Sequence, residues 1–325
     1  MTVPQIISAA QLGLLYGLLA IGLYVPFRVL DIPDMTVQGS FTLGMIVAAV
    51  FAYSDRPILG LVVASLAGVL SGFVTGLLHT KFKIASILSG ILTMTALYTV
   101  NLLVAGGKAN ISLIGKETVY SLVNRYVANE DLVKTGLTLL IVVLICLILA
   151  TFFHTRTGLT IRATGDNMVM VRHTSINTDN MIMLGLGIGN GLTALCGGLL
   201  AHYNLFADVN SGTGVLVVAL AAIIIGETIF RRSGVTLGIV STMVGSIVYR
   251  FIFAIALKFD VLPSYSLNLI STIIVVLALV FPSFQDYRKR QRKKKLHRSL
   301  AKTWLDPEAG PVLPQMADKE EQGNE

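Results

Sequence analysis

Charge is scarce in this chain. Only 13 % of its 325 residues are Asp, Glu, Lys or Arg, against 54 % hydrophobic ones. That excludes an ordinary soluble domain, where about a quarter of residues are charged. The two cysteines, Cys146 and Cys196, both fall inside apolar runs and imply no disulfide framework. Nucleotide and metal signatures are missing too. The pair Gly115-Lys116 is followed by Glu117 and lacks the upstream glycine of a phosphate-cradling loop. No HExxH or Cys/His cluster occurs among the scattered histidines, and no GxSxG elbow is present. An intramembrane enzyme therefore has no visible nucleophile or metal constellation, and neither catalysis nor a cofactor is expected. Alternating segments of about ten residues, the mark of a membrane β-barrel, are absent as well. No charged side chain precedes Arg28, so the first apolar run reads as a span and not as a cleaved leader.

What the chain has is long apolar runs and a mean hydropathy of +0.75. They are Gln5–Val25, Thr36–Tyr53, Ile58–His79, Ile84–Val104, Thr135–Phe153, Met181–Tyr203, Val215–Gly226, Val235–Leu257 and Leu267–Phe281. Runs near 20 residues are the length of a bilayer-crossing helix. The expected fold class is all-α: a polytopic helical membrane protein of about 8–10 transmembrane helices, with two internal structural halves and a cytoplasmic coupling helix. Residues 1–284 form the membrane domain, and 285–325 a tail that is first basic, then Pro/Gly/Asp/Glu-rich, and expected to be disordered. Its eight Lys/Arg between Arg288 and Arg298 suit anionic lipid at a cytoplasmic surface; nucleic acid is not an expected partner. Placing that tail inside and alternating back puts Arg28, Lys81, Lys83, Arg156–Arg172, Arg231 and Arg232 in the cytoplasm. The N-terminus and the long loop 106–132 then lie outside.

Glycine is patterned. Gly13 and Gly17, and Gly68, Gly72 and Gly76, stand four apart, the spacing that lets helices approach closely in lipid. The run Met181–Tyr203 carries six glycines, which implies tight packing or local unwinding. Two runs, 36–53 and 215–226, are short, and each follows a polar, turn-rich stretch. Paired short segments point to a transporter built from repeats, with its path between the halves. Among ionisable residues Arg250 lies well inside a run, where it needs a partner that Asp208 or Glu227 could supply. Asp31, Asp34, Asp208 and Glu227 all read as marginal to the membrane.

The polar island Thr155–Asn180 separates two membrane-length runs. It carries Arg156, Arg162 and Arg172 against Asp166 and Asp179. Gly165 and Asp166 read as a turn and N-cap, opening a helix of about two turns over Asn167–His173. A short helix held at the cytoplasmic face suits docking onto a soluble partner.

The segments VLDIPDMTVQGSFTLG, TRTGLTIRATGDN, SINTDNMIMLGLGIGNGLTALCGGLLAHYNLFADVN, IIIGETIF and GSIVYR carry a resemblance. Through them the chain resembles the membrane permeases of bacterial ABC importers of the branched-chain amino acid and ribose type, in the tryptophan/tyrosine-type branch. The resemblance implies a homodimer in the bacterial cytoplasmic membrane, standing on a dimer of cytoplasmic ATPase subunits and fed by an extracytoplasmic solute-binding protein. It places the coupling helix at Gly165–Thr174, with Arg162, Gly165, Asp166, Asn167 and Arg172 as the ATPase-coupling residues. Segments near Gln38 and Val215 would line the path, for which Gln38, Asn101, Asn190, Asp208 and Arg250 are the candidates. The expected function is inward passage of a small solute, an aromatic amino acid, driven by a partner's ATP hydrolysis. The rival reading is a self-sufficient ion-coupled carrier built around Arg250 and the glycine-rich span.

Overall fold

The computed structural model describes residues 3–125, 129–230 and 234–258, together with Thr272 and Val276. The expected last run, the tail from 285, Arg231 and Arg232 lie outside the described residues.

The apolar runs form helices, as their composition requires. The first, α1 (Val3–Tyr24), continues into a π-helical turn over Val25–Val29. Pro26 has no N–H to donate to the preceding turn, so the ladder widens, and Leu30 N bonds Val25 O at 3.1 Å. Then come α2 (Val37–Tyr53), α3 (Pro57–Thr80) and α4 (Ser86–Val104). The polar loop after α4 is more structured than its composition suggests. It holds β1 (Asn110–Ser112) and α5 (Val119–Asn124), and α6 (Glu130–Phe152) begins before the expected Thr135. The chain continues with α7 (Arg156–Asp166), α8 (Met168–His173), α9 (Thr178–Asn204), β2 (Phe206–Asp208), α10 (Val215–Ile229) and α11 (Val235–Lys258). Six helices are long and apolar enough to cross a membrane; α2 and α10 are the two shorter ones among the described residues.

Helix α9 is the centre of the molecule. It stays helical through all six of its glycines, so tight packing, not unwinding, is their role. Of its most apolar stretch 72 % is buried, against 22 % for α6, whose outer faces present leucine and valine. Glycine on both partners brings backbones together. A side chain at Gly72 would strike Leu186 and Gly187 of α9, and one at Gly44 would strike Ala194. The Gly68/Gly72/Gly76 stripe is thus the α3–α9 contact, and Gly13/Gly17 the α1–α11 contact, facing Ile247 and Met243.

These contacts define two halves of inverted topology. Residue numbers rise along α1 while they fall along α11, and the same holds for α3 against α9. Helices α2 and α3 run antiparallel, as do α10 and α11. Each half thus lends its first helix to the third helix of the other. Between the halves α6 adds a crossing, so α1 and α9 run in opposite directions, with Gln11 bonded to Tyr203 and Leu15 to Cys196. The short helices α2 and α10 occupy equivalent places. Repeats of this kind carry their working parts at the interrupted segments.

At one end β1 and β2 pair antiparallel, Ile111 opposite Ala207, joining the loop after α4 to the loop after α9. Tyr53, the last residue of α2, donates its hydroxyl to Ser112 O at 2.8 Å, so α2 also ends there. The opposite end is made by the π-turn, α7 and α8.

Candidate functional site

The polar island is two helices, not one. Thr155 caps α7, its hydroxyl accepting from Gly158 N at 3.3 Å. Thr160 and Thr164 bond back to Arg156 O and Thr160 O at 2.7 and 2.8 Å, so their hydroxyls are satisfied within the helix. Gly165 and Asp166 therefore close α7 instead of opening the next helix. Gly165 lies there because a side chain would strike the Val29 carbonyl and Leu30. The end of α7 rests directly on the π-turn of α1.

The cap of α8 is Asn167, whose Oδ1 accepts from Met170 N at 3.0 Å. Val171 is buried, but Val169 and Met170 are 68 % and 58 % exposed. Arg172 anchors the helix from its other end. Its Nε donates to Thr178 Oγ1 at 2.9 Å and its Nη2 lies 3.3 Å from Asp179, at the start of α9. Of the five coupling candidates, Asp166, Asn167 and Arg172 are exposed and Arg162 is half-buried; Gly165 lets α7 meet the π-turn, and Arg172 grips the Thr178 and Asp179 side chains. The apolar pair Val169 and Met170 stands free on the same helix as Arg172.

Behind the π-turn lies a buried polar network. Asn190, in the middle of α9, donates Nδ2 to Asp34 Oδ2 at 2.6 Å and accepts from Ser40 Oγ at 2.7 Å. Ser40 meets Ser71 Oγ at 2.7 Å, and Thr36 meets Thr75 at 2.7 Å. Asp34 Oδ1 also accepts from Thr36 N at 2.8 Å, shaping the turn into α2. Asp34 is 2 % exposed, so the carboxylate placed at the margin by its sequence position is an interior group. Asn190 is fully buried by its partners, while Asn101 is buried against Gly39 O at 3.4 Å with its Oδ1 unpartnered.

The remaining path candidates are spread out. Gln38 is half-buried at the start of α2, where Gly212 of the loop before α10 packs on its carbonyl. Asp208 belongs to the β1–β2 sheet beside Asn110. Neither Asp208 nor Glu227 is the partner of Arg250. Glu227, at the end of α10, forms an ion pair with Arg28 in the π-turn. Arg250 instead lies with its guanidinium carbon 3.5 Å from the ring centre of Tyr16 in α1.

Sequence reasoning missed the Asp34–Asn190 bond and the Arg28–Glu227 pair. The first left one signal, the Asp-x-Thr spacing of Asp34 and Thr36 that forms a side-chain turn. The second joins residues 199 apart and left none beyond charges at the ends of short segments.

Residues 5–279 match the family described as branched-chain amino acid transport system / permease component. The chain is 38 % identical over 290 residues to a tyrosine transport system permease protein of Clostridioides difficile, covering 89 % of this chain and 95 % of that one. It is 35 % identical over 230 residues to an uncharacterised protein of Rickettsia prowazekii, covering 70 % and 79 %. To an autoinducer 2 import system permease protein of Yersinia pestis it is 27 % identical over 263 residues, covering 77 % and 67 %. No solved structure matches the chain. The match runs along nearly the whole expected membrane domain: the chain belongs to the branched-chain amino acid transport system / permease component family, and is a permease component of an ABC-type transport system.

Proposed function

We propose that the chain is the non-catalytic, membrane-spanning subunit of an ATP-driven importer for an aromatic amino acid. It acts as a homodimer on a dimer of cytoplasmic ATPase subunits, and an extracytoplasmic binding protein delivers the solute. Its membrane is the bacterial cytoplasmic membrane, with the N-terminus outside and the C-terminus in the cytoplasm.

One observation carries the ATP-driven mechanism. Val169 and Met170 stand exposed on a helix that Asn167 caps and Arg172 anchors to α9. Burying such side chains against a partner yields about 1.5–3 kcal/mol each. Force applied to α8 passes to the start of α9 through Arg172, while α7 passes it to the π-turn through Gly165. Both lead to the Asp34–Asn190 network, where α2, α3 and α9 meet. Arg162 and Asp166 flank this face and complete the contact. The aromatic substrate class rests on the tyrosine transport permease to which 89 % of the chain aligns.

Reconstitution in liposomes with the cognate ATPase and binding protein tests the proposal, with labelled tyrosine and tryptophan as solutes. Uptake should require both ATP and the binding protein. Uptake by this chain alone on an ion gradient would refute the importer reading, and ATP-driven assembly without aromatic uptake would refute the substrate.

A further inference from the structure

Arg250 is half-buried on α11, eight residues before Lys258, hence about 12 Å from that end at 1.5 Å per residue. Its guanidinium is packed between aromatic rings, with its carbon 3.5 Å from the centre of Tyr16 and 5.7 Å from that of Phe253. Among the described residues it has neither an ion pair nor a hydrogen bond, and its Nε is buried without a partner. A guanidinium offers five N–H donors and keeps its charge under all physiological conditions. Placed within a span, such a charge is unfavourable unless it meets a partner or faces water, and it marks a substrate or ion pathway by default. The ring faces compensate only in part, and among the described residues no acceptor meets the guanidinium's planar edge.

That edge is suited to a carboxylate, which takes two parallel N–H···O bonds from guanidinium. The aromatic faces hold the guanidinium plane and offer a surface to a flat apolar group. The carboxylates of Asp34 and Glu227 are held elsewhere, by Asn190 and by Arg28.

We propose that Arg250, held by Tyr16, is the permease's binding site for the α-carboxylate of the amino acid as it crosses. This rests on the amino-acid reading above and adds what that reading lacks, a group in the membrane that selects for a carboxylate. A lipid phosphate is the other anion that could reach the same edge.

The test uses the full-length permease in nanodiscs, with Tyr16→Trp as a fluorescent reporter that keeps the aromatic face and Trp304→Phe to remove the native tryptophan. Phenylalanine is the titrant because it does not absorb at the exciting wavelength, and phenethylamine is the same molecule without the carboxylate. Phenylalanine should shift the emission and phenethylamine should not, and Arg250→Gln should weaken the phenylalanine response by about tenfold or more. Arg250→Lys, which keeps the charge but not the fork, should retain part of it. An equal response to phenethylamine, or an undiminished one in Arg250→Gln, overturns the site. So does a signal that answers only to anionic lipid in the nanodisc, which would make the guest a phosphate. Failure of tyrosine and tryptophan uptake in the liposome assay would instead remove the amino-acid reading itself.

Discussion

Asn190 donates to Asp34 at 2.6 Å, and so ties the middle of the central helix to the turn that precedes α2. Both side chains are buried, and the bond joins the two inverted halves. Its loss leaves a buried carboxylate short of a donor.

Asn190→Leu should therefore destabilise the folded permease by about 1–3 kcal/mol, the effect of orphaning a buried polar group. Asp34→Asn should be milder, because an amide still accepts from Thr36 N. Unfolding midpoints in detergent would measure both; equal stability of Asn190→Leu and the native chain would remove the network from the account.

Gly165 permits α7 to touch the Val29 carbonyl. Gly165→Leu should displace α7 from the π-turn and abolish solute-stimulated ATP hydrolysis by the assembled transporter. Membrane insertion and yield should stay near native, since the spans themselves are unchanged. Full stimulation in that variant would mean that α7 transmits nothing.

Arg172 and Asp179 face each other with side chains 52 % and 22 % exposed. Solvent screening limits such a pair to about 0.2–1 kcal/mol of stability. Arg172→Ala, which also loses the bond to Thr178, should loosen α8 and lower coupling more than Asp179→Ala. The double variant should be no worse than Arg172→Ala alone, a non-additivity that a double-mutant cycle reads directly. Additive losses would place the two residues in separate roles.

Much of the membrane architecture was legible as apolar runs, because a span in lipid must satisfy its own backbone and cannot be built from mixed sequence. Gly68, Gly72 and Gly76 even named their face of α3. Helix α7 was not legible. Gly165 and Asp166 read as a turn and N-cap, yet Gly158 and Gly165 serve close backbone contacts and Thr160 and Thr164 bond within the helix. Asp34 read as marginal because depth is set by how the chain folds back, and its partner lies 156 residues away. Arg250 stands out in the sequence as a charge inside an apolar run, but a stacking partner on another helix leaves no trace in local sequence.

The central claim is that α8 presents Val169 and Met170 to the ATPase. The most direct measurement is the affinity of the purified ATPase subunit for the permease in nanodiscs, native against Val169→Ser/Met170→Ser. Losing that apolar contact should weaken binding at least about tenfold, in line with 1.5–3 kcal/mol per buried side chain, while the permease keeps its thermal stability. Unchanged affinity in the double variant would contradict the claim and move the docking surface off α8.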